Sequence, residues 1–131
     1  MKYFLTTLFI FTCISGFSQT QTEMNISAWD TYKKADTELN DIYQKILIEY
    51  KTDTLFIQKL RVSQRIWMKF RDAELEMKYP EENPRYYGSV HPMCESIYLE
   101  KLTMERIRTL KIWLEGSDKT DVCYGSVRIN I

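Results

Sequence analysis

The stretch Gln64-Arg65-Ile66-Trp67-Met68-Lys69-Phe70-Arg71-Asp72, in the middle of the chain, decides the reading of the fold. Wound at 3.6 residues per turn, residues 54–79 place Phe56, Leu60, Ser63, Trp67 and Phe70 along one stripe, with Gln64 and Arg71 inside that stripe rather than opposite it. A buried arginine without a partner is too costly to persist, so neighbouring helices must bring acceptors to it. The run therefore predicts both a helix and the positions where other helices pack.

Working outward, Thr52-Asp53-Thr54 breaks the apolar pattern and supplies a cap for this helix. Before it, Ala28, Tyr32, Ala35, Leu39, Ile42, Ile46 and Tyr50 recur at steps of three and four, with Ser27 as the N-cap and residues 20–26 as a polar lead-in. So short a turn between two long helices makes an antiparallel hairpin. On the other side Pro80 ends the central helix at Tyr79. The segment from Pro80 to Pro92 holds all three prolines and is longer than most helix connections, a length that often marks function.

From Met93 a third helix sets Ile97, Leu99, Leu102, Arg106, Leu110, Trp113 and Leu114 on one side and stops at Gly116. Tyr98, Ile107 and Ile112 fall off that stripe, either packing against a fourth element such as the tail or forming a patch for a further partner. The tail alternates Val122, Tyr124, Val127, Ile129 and Ile131, which reads as strand-like. Tyr-Gly-Ser-Val occurs at 87–90 and again at 124–127, and the two copies can pair as a small ribbon or be chance similarity. The expected architecture is all-α: an antiparallel three-helix bundle, with helices at about 27–51, 54–79 and 93–115 and a short extended C-terminal tail.

Met1 to Gln19 has Lys2, an apolar run Tyr3–Ile14, then Ser15, Gly16 and Ser18, the layout of a secretory signal peptide. That leaves residues 20–131 as one helical domain, exported to the periplasm or secreted. Bulky residues before Cys13 make lipid anchoring there the lesser expectation. Lys plus Arg and Asp plus Glu number 18 each, so loss of Lys2 leaves 17 against 18, net −1. Such a balance, with no basic concentration, excludes a dedicated nucleic-acid binder, and the mature chain has no membrane span.

Two cysteines then remain. In an oxidising compartment Cys94 and Cys123 favour a disulfide, and closing about 30 residues stabilises a fold by roughly 3 kcal/mol in the chain-entropy treatment. With the single His91 they fall short of a four-ligand zinc site, and no cofactor is implied. No nucleophile and base stand at recognisable spacing, and no glycine-rich phosphate loop is present, so the chain is not read as an enzyme.

Levelling the three helices about their connections places residues 39 and 106 opposite residue 66. Asp36, Asn40, Gln64, Arg65, Arg71, Asp72, Thr103 and Arg106 then share one layer. We expect a structural polar belt there, in which Asp36 and Asp72 neutralise Arg71 or Arg106 and Asn40, Gln64 and Thr103 complete the hydrogen bonds.

These residues also carry a family likeness. Tyr32-Lys33-Lys34-Ala35-Asp36, Glu38-Leu39-Asn40 and Tyr43, then Leu60-Arg61, Gln64-Arg65, Trp67 and Phe70-Arg71-Asp72-Ala73-Glu74, then Gly88-Ser89, and Thr103 with Arg106 and Leu110, resemble the LprI-like lysozyme-inhibitor N-terminal domain family. The likeness runs from about residue 28 to 115. It implies a small exported helical protein that binds and inhibits a muramidase, with a protein partner such as lysozyme or another cell-wall hydrolase. A periplasmic helical adaptor or structural module is the alternative. Relatives commonly carry a cysteine directly after the Arg-Asp-x-Glu segment, where this chain has Leu75, so their disulfide scheme does not transfer.

Muramidases work with a pair of carboxylates in a cleft, and an inhibitor must offer donors and aromatic surface to it. The proline-bounded loop supplies Arg85, Tyr86, Tyr87, Ser89 and His91 as the expected partner-binding residues.

Overall fold

The computed structural model describes residues 19–130. The expected leader, Met1 to Gln19, lies outside the described residues as far as residue 18, with Cys13 in it, as does Ile131. Three long helices account for most of the rest: α1 (Gln21–Glu49), α2 (Thr54–Lys78) and α3 (His91–Glu115), followed by a 3₁₀ turn at Val122–Tyr124.

Helix α1 begins six residues before the expected start. Thr20 caps it, its hydroxyl accepting from the Glu23 amide at 3.2 Å while the Glu23 carboxylate accepts from the Thr20 amide at 2.8 Å. This capping box satisfies two otherwise orphaned donors and outweighs Ser27, which lies inside the helix. Asp53 caps α2 through Phe56 N–H at 3.0 Å, and α2 ends before Pro80 as its sequence predicts. At the end of α3, Gly116 has φ +75°, and a Cβ there would meet the Asn130 side chain at 2.3 Å.

Cross-links fix the directions. Lys111 reaches Glu38 at 2.8 Å, and Tyr50 donates its hydroxyl to the Trp113 carbonyl at 2.8 Å, so α1 and α3 run parallel. Tyr98 to Glu74 at 3.0 Å and Arg106 to Gln64 at 3.1 Å set α2 antiparallel to both. The bundle and its register match the expected architecture.

Packing is unequal among the three. Helices α1 and α3 lie close along much of their length, whereas α2 stands further out. The core gathers Leu39, Ile42, Ile46 and Tyr50 from α1 with Ile107 and Leu110 from α3, and α2 adds only Leu60 to its buried members. The inward stripe of α2 is centred one position away from the expected one: Gln64 is buried, while Ser63 and Phe70 sit at its exposed edge. On α3, Ile107 is almost wholly buried and Ile97 is half exposed, the reverse of the expected arrangement. The helix touches two neighbours at once, so its buried arc is wider than a single stripe.

The tail corrects a further expectation and decides an open alternative. It is no strand: among the described residues it makes a single parallel bridge, Ser117 with Ile129, and a 3₁₀ turn capped by Asp121. The two Tyr-Gly-Ser-Val copies do not pair, because they lie at opposite ends of the bundle. Ser89 accepts from Asn25 near the start of α1, while Ser126 accepts from Trp113 near the end of α3.

The same geometry removes the Cys94–Cys123 disulfide, and both cysteines are free thiols. Cys94 is in the first turn of α3 and Cys123 beyond its last. The intervening helix spans about 32 Å at 1.5 Å per residue, whereas a disulfide needs Cα atoms within roughly 7 Å. Sequence separation alone concealed this, since the linking residues form a rigid rod and not a closing loop.

Candidate functional site

Two surfaces hold the residues singled out by sequence. The first is the segment between α2 and α3. A chain of turns shapes it: Tyr86 N–H to Asn83 O at 3.0 Å, Gly88 N–H to Arg85 O at 3.3 Å and His91 N–H to Gly88 O at 3.2 Å. Asn83 folds its side chain back onto the Arg85 amide at 3.0 Å, and Gly88 takes φ 77°, which the turn requires. Beneath it lies an aromatic base. Tyr79, Tyr87 and His91 meet with ring centroids 4.7 to 5.4 Å apart, and the Tyr87 hydroxyl accepts from the Glu81 amide at 3.1 Å. Burial, then the nearby Cys94 and Glu95, raise the Tyr79 phenol above its ordinary pKa.

The five residues expected to bind a partner therefore divide. Tyr87 and His91 build the base, and Ser89 offers its carbonyl to Asn25 of α1 at 3.0 Å, tying the segment down. Arg85 and Tyr86 point outward. Tyr86 is 67% exposed, stacked edge-on against Tyr87 at 4.9 Å, and Arg85 is exposed with no carboxylate partner among the described residues. His91 Nε2 stands 3.4 Å from a Glu95 oxygen without an aligned hydrogen bond.

The second surface is the mid-bundle layer, which the structure splits in two. On the α1 side Arg71 takes both carboxylates: Nη2 to Asp72 at 2.8 Å and Nη1 to Asp36 at 3.4 Å, with its guanidinium 5.5 Å over the Trp67 ring. Only 15% of its side chain is exposed. On the α3 side Arg106 receives neutral acceptors, Gln64 Oε1 at 3.1 Å and Ser63 Oγ at 3.0 Å, and burial lowers its pKa. Gln64, at the centre of the inward stripe, stands between the two clusters. The single network expected from sequence does not form, because levelling residues along the axis says nothing of their angle around it.

Thr103 is fully buried, its hydroxyl unpaired among the described residues, and Asn40 and Arg65 are exposed and join neither cluster. Asn40 and Arg65 instead line an open groove of about 410 Å³ between α1 and α2. Tyr32, Tyr43 and Trp67 give it aromatic walls, and Arg61, Arg65 and Arg71 against the lone Asp36 leave it positive. The Tyr32 phenol is raised in pKa chiefly by burial, with Arg71 acting to lower it. Sequence reasoning missed this groove, although the α1 positions 32, 36, 39, 40 and 43 already share one face. Among the described residues no group of His, Cys, Asp and Glu is placed to hold a metal, and no helix is long and apolar enough to cross a membrane.

With this geometry in hand, comparison with known proteins is specific. The family model described as lysozyme inhibitor LprI matches residues 13–110. An uncharacterized protein of Rhizobium meliloti (strain 1021) is 29% identical over 109 residues, covering 75% of this chain and 76% of that protein. No solved structure matches the chain.

Proposed function

This chain belongs to the lysozyme inhibitor LprI family, and from that premise we propose that it is an exported, non-enzymatic protein that binds a muramidase and blocks its cleft. The observation that carries the reading is the outward pair Arg85 and Tyr86 on a base held by Tyr79, Tyr87, His91 and the Asn25 tie. A muramidase cleft presents two carboxylates. Arg85 offers a planar fork of donors to one of them, and Tyr86 offers ring area at low entropy cost. Because the turn is already ordered by its own hydrogen bonds, little freedom is lost on docking.

The test is a turbidity assay of lysozyme-driven cell-wall lysis with the purified protein. Micromolar inhibition is expected, weakened about tenfold or more by Arg85→Ala with Tyr86→Ala, the scale of a central interface residue. Inhibition untouched by that double change removes the loop from the contact. No inhibition at micromolar protein favours the adaptor alternative.

A second surface has its own support. Every residue lining the α1–α2 groove except Met68 belongs to the stretches that carry the family likeness, whereas the loop contributes only Gly88-Ser89. Its positive, aromatic lining fits an acidic group of a partner. If the groove makes the contact, Arg61→Ala with Arg65→Ala abolishes inhibition while the Arg85 and Tyr86 changes leave it intact.

A further inference from the structure

Helix α2 carries a second apolar stripe, beside the inward one and running from its exposed edge, where Phe70 sits, round to the solvent side. Leu55 is 65% exposed, Val62 44%, Ile66 61%, Phe70 50% and Met77 67%. Exposed Lys59 and Ala73 complete the same face. Among the described residues little covers it: the tail folds over the end of α1 and α3, through Tyr50, Glu49 and Trp113, and comes near the stripe only at Lys59, which shares a cavity with Ser126. Three large apolar groups in succession, Val62, Ile66 and Phe70, with Leu55 and Met77 at the two ends, form a patch rather than scattered single residues.

The order of residues along the stripe identifies the occupant. Positions 55, 59, 62, 66, 70, 73 and 77 are separated by four, three, four, four, three and four residues, a spacing that reads the same in both directions. Its centre, Ile66, is also the midpoint of Thr54–Lys78. Two copies of α2 laid antiparallel about a twofold axis at Ile66 therefore match position by position. Ile66 meets Ile66 of the second copy, and Val62 meets Phe70 of the second copy. Leu55 comes level with Met77, and Lys59 comes level with Ala73.

The one charged member is accommodated by the same symmetry. Ala73 leaves room for the aliphatic stem of Lys59, and the ammonium of Lys59 then arrives near the exposed Glu76 of the second copy. Lys59 forms no ion pair within its own chain among the described residues. The alternation of steps of four and three along the stripe suits the shallow crossing, about 20°, at which two helices stay in contact along their length. A twofold interface requires the same patch on both subunits to be self-complementary, which this stripe is.

We propose that the outer face of α2 is a homodimer interface, formed by antiparallel docking of two copies about Ile66. It is independent of the muramidase reading, since it uses no residue of the loop or the groove.

The experiment is sedimentation equilibrium of the purified protein from about 1 to 200 µM, with Ile66→Lys alongside. The wild type is expected to dimerise and Ile66→Lys to bind itself roughly a hundredfold more weakly or not at all, with helical circular dichroism unchanged. In a Cys94→Ser, Cys123→Ser background, Ile66→Cys is expected to give a covalent dimer under mild oxidation, while Lys101→Cys, on exposed α3 surface, does not. The covalent test stands even if the lysine variant misfolds. A monomer across the range, or a dimer indifferent to Ile66→Lys, overturns the proposal. So does Ile66-dependent flotation of a monomer with phosphatidylcholine vesicles, which would assign the stripe to lipid.

Discussion

The seam between α1 and α3 and the outer helix α2 are built from similar amounts of sequence and by different means. The seam buries Leu39, Ile42 and Ile46 against Ile107 and Leu110, aliphatic side chains meeting without polar atoms between them. Helix α2 buries little beyond Leu60 and Gln64 and is fastened at intervals, by Arg71 to Asp36, by Gln64 to Arg106 and by Glu74 to Tyr98. Close packing fixes the seam by area removed from water, whereas directed polar links let α2 stand off. That stand-off opens the groove to α1 and leaves an apolar face outward. The scaffold function belongs to the seam, and the surfaces available to partners belong to α2 and the loop that follows it.

Substitutions sharpen or break this contrast. The largest loss is expected at Ile46, fully buried in the seam: Ile46→Ala should cost about 3 to 4 kcal/mol through lost transfer energy and the cavity left behind, read as a lower urea midpoint. Arg71→Ala comes next, at about 1 to 2 kcal/mol, because Asp36 and Asp72 are well solvated and much of the loss is packing over Trp67. The control Lys69→Ala, on exposed surface, should be neutral. If Arg71→Ala matches Ile46→Ala, α2 is as integral as the seam and the contrast fails.

The pH response locates a smaller effect in the groove wall. Burial raises the Tyr32 phenol, so the folded state holds that proton more tightly than the unfolded chain. The associated stability is present below the ordinary tyrosine pKa and is lost as pH rises through the raised value. Denaturation midpoints measured from neutral into the alkaline range should fall, and Tyr32→Phe should flatten that fall. An unchanged slope means that Tyr32 is solvated and the groove wider than described. Smallest of all is Thr103→Val, which removes a buried hydroxyl without a partner among the described residues. A change between zero and about 1 kcal/mol of stabilisation is expected, and clear destabilisation would reveal a partner for that hydroxyl.

Much of the fold was legible because it depends on local chemistry. Asp53, Pro80 and Gly116 each stop or start a helix by backbone constraints that act within a few residues, and loop lengths then set the register that Arg71–Asp36 and Arg106–Gln64 display. The start of α1 was obscured because the capping box Thr20–Glu23 precedes the apolar periodicity. The tail was misread because two alternating residues look alike in a strand and in a turn folded over a bundle end. Cys94 and Cys123 look like a pair only until the rod between them is given its length. For the site, the loop was visible through its prolines, but the outward roles of Arg85 and Tyr86 depend on which rings become the base. The groove depends on the spacing between two helix axes, which no periodicity encodes.

Native-state hydrogen exchange followed amide by amide tests the contrast most directly. If the seam is the scaffold and α2 an outer helix, amides of α1 and α3 facing each other exchange only through global unfolding. Those of α2, above all beyond Met68, then exchange through a partial opening of lower free energy. Equal protection in all three helices, with one common response to denaturant, would contradict it.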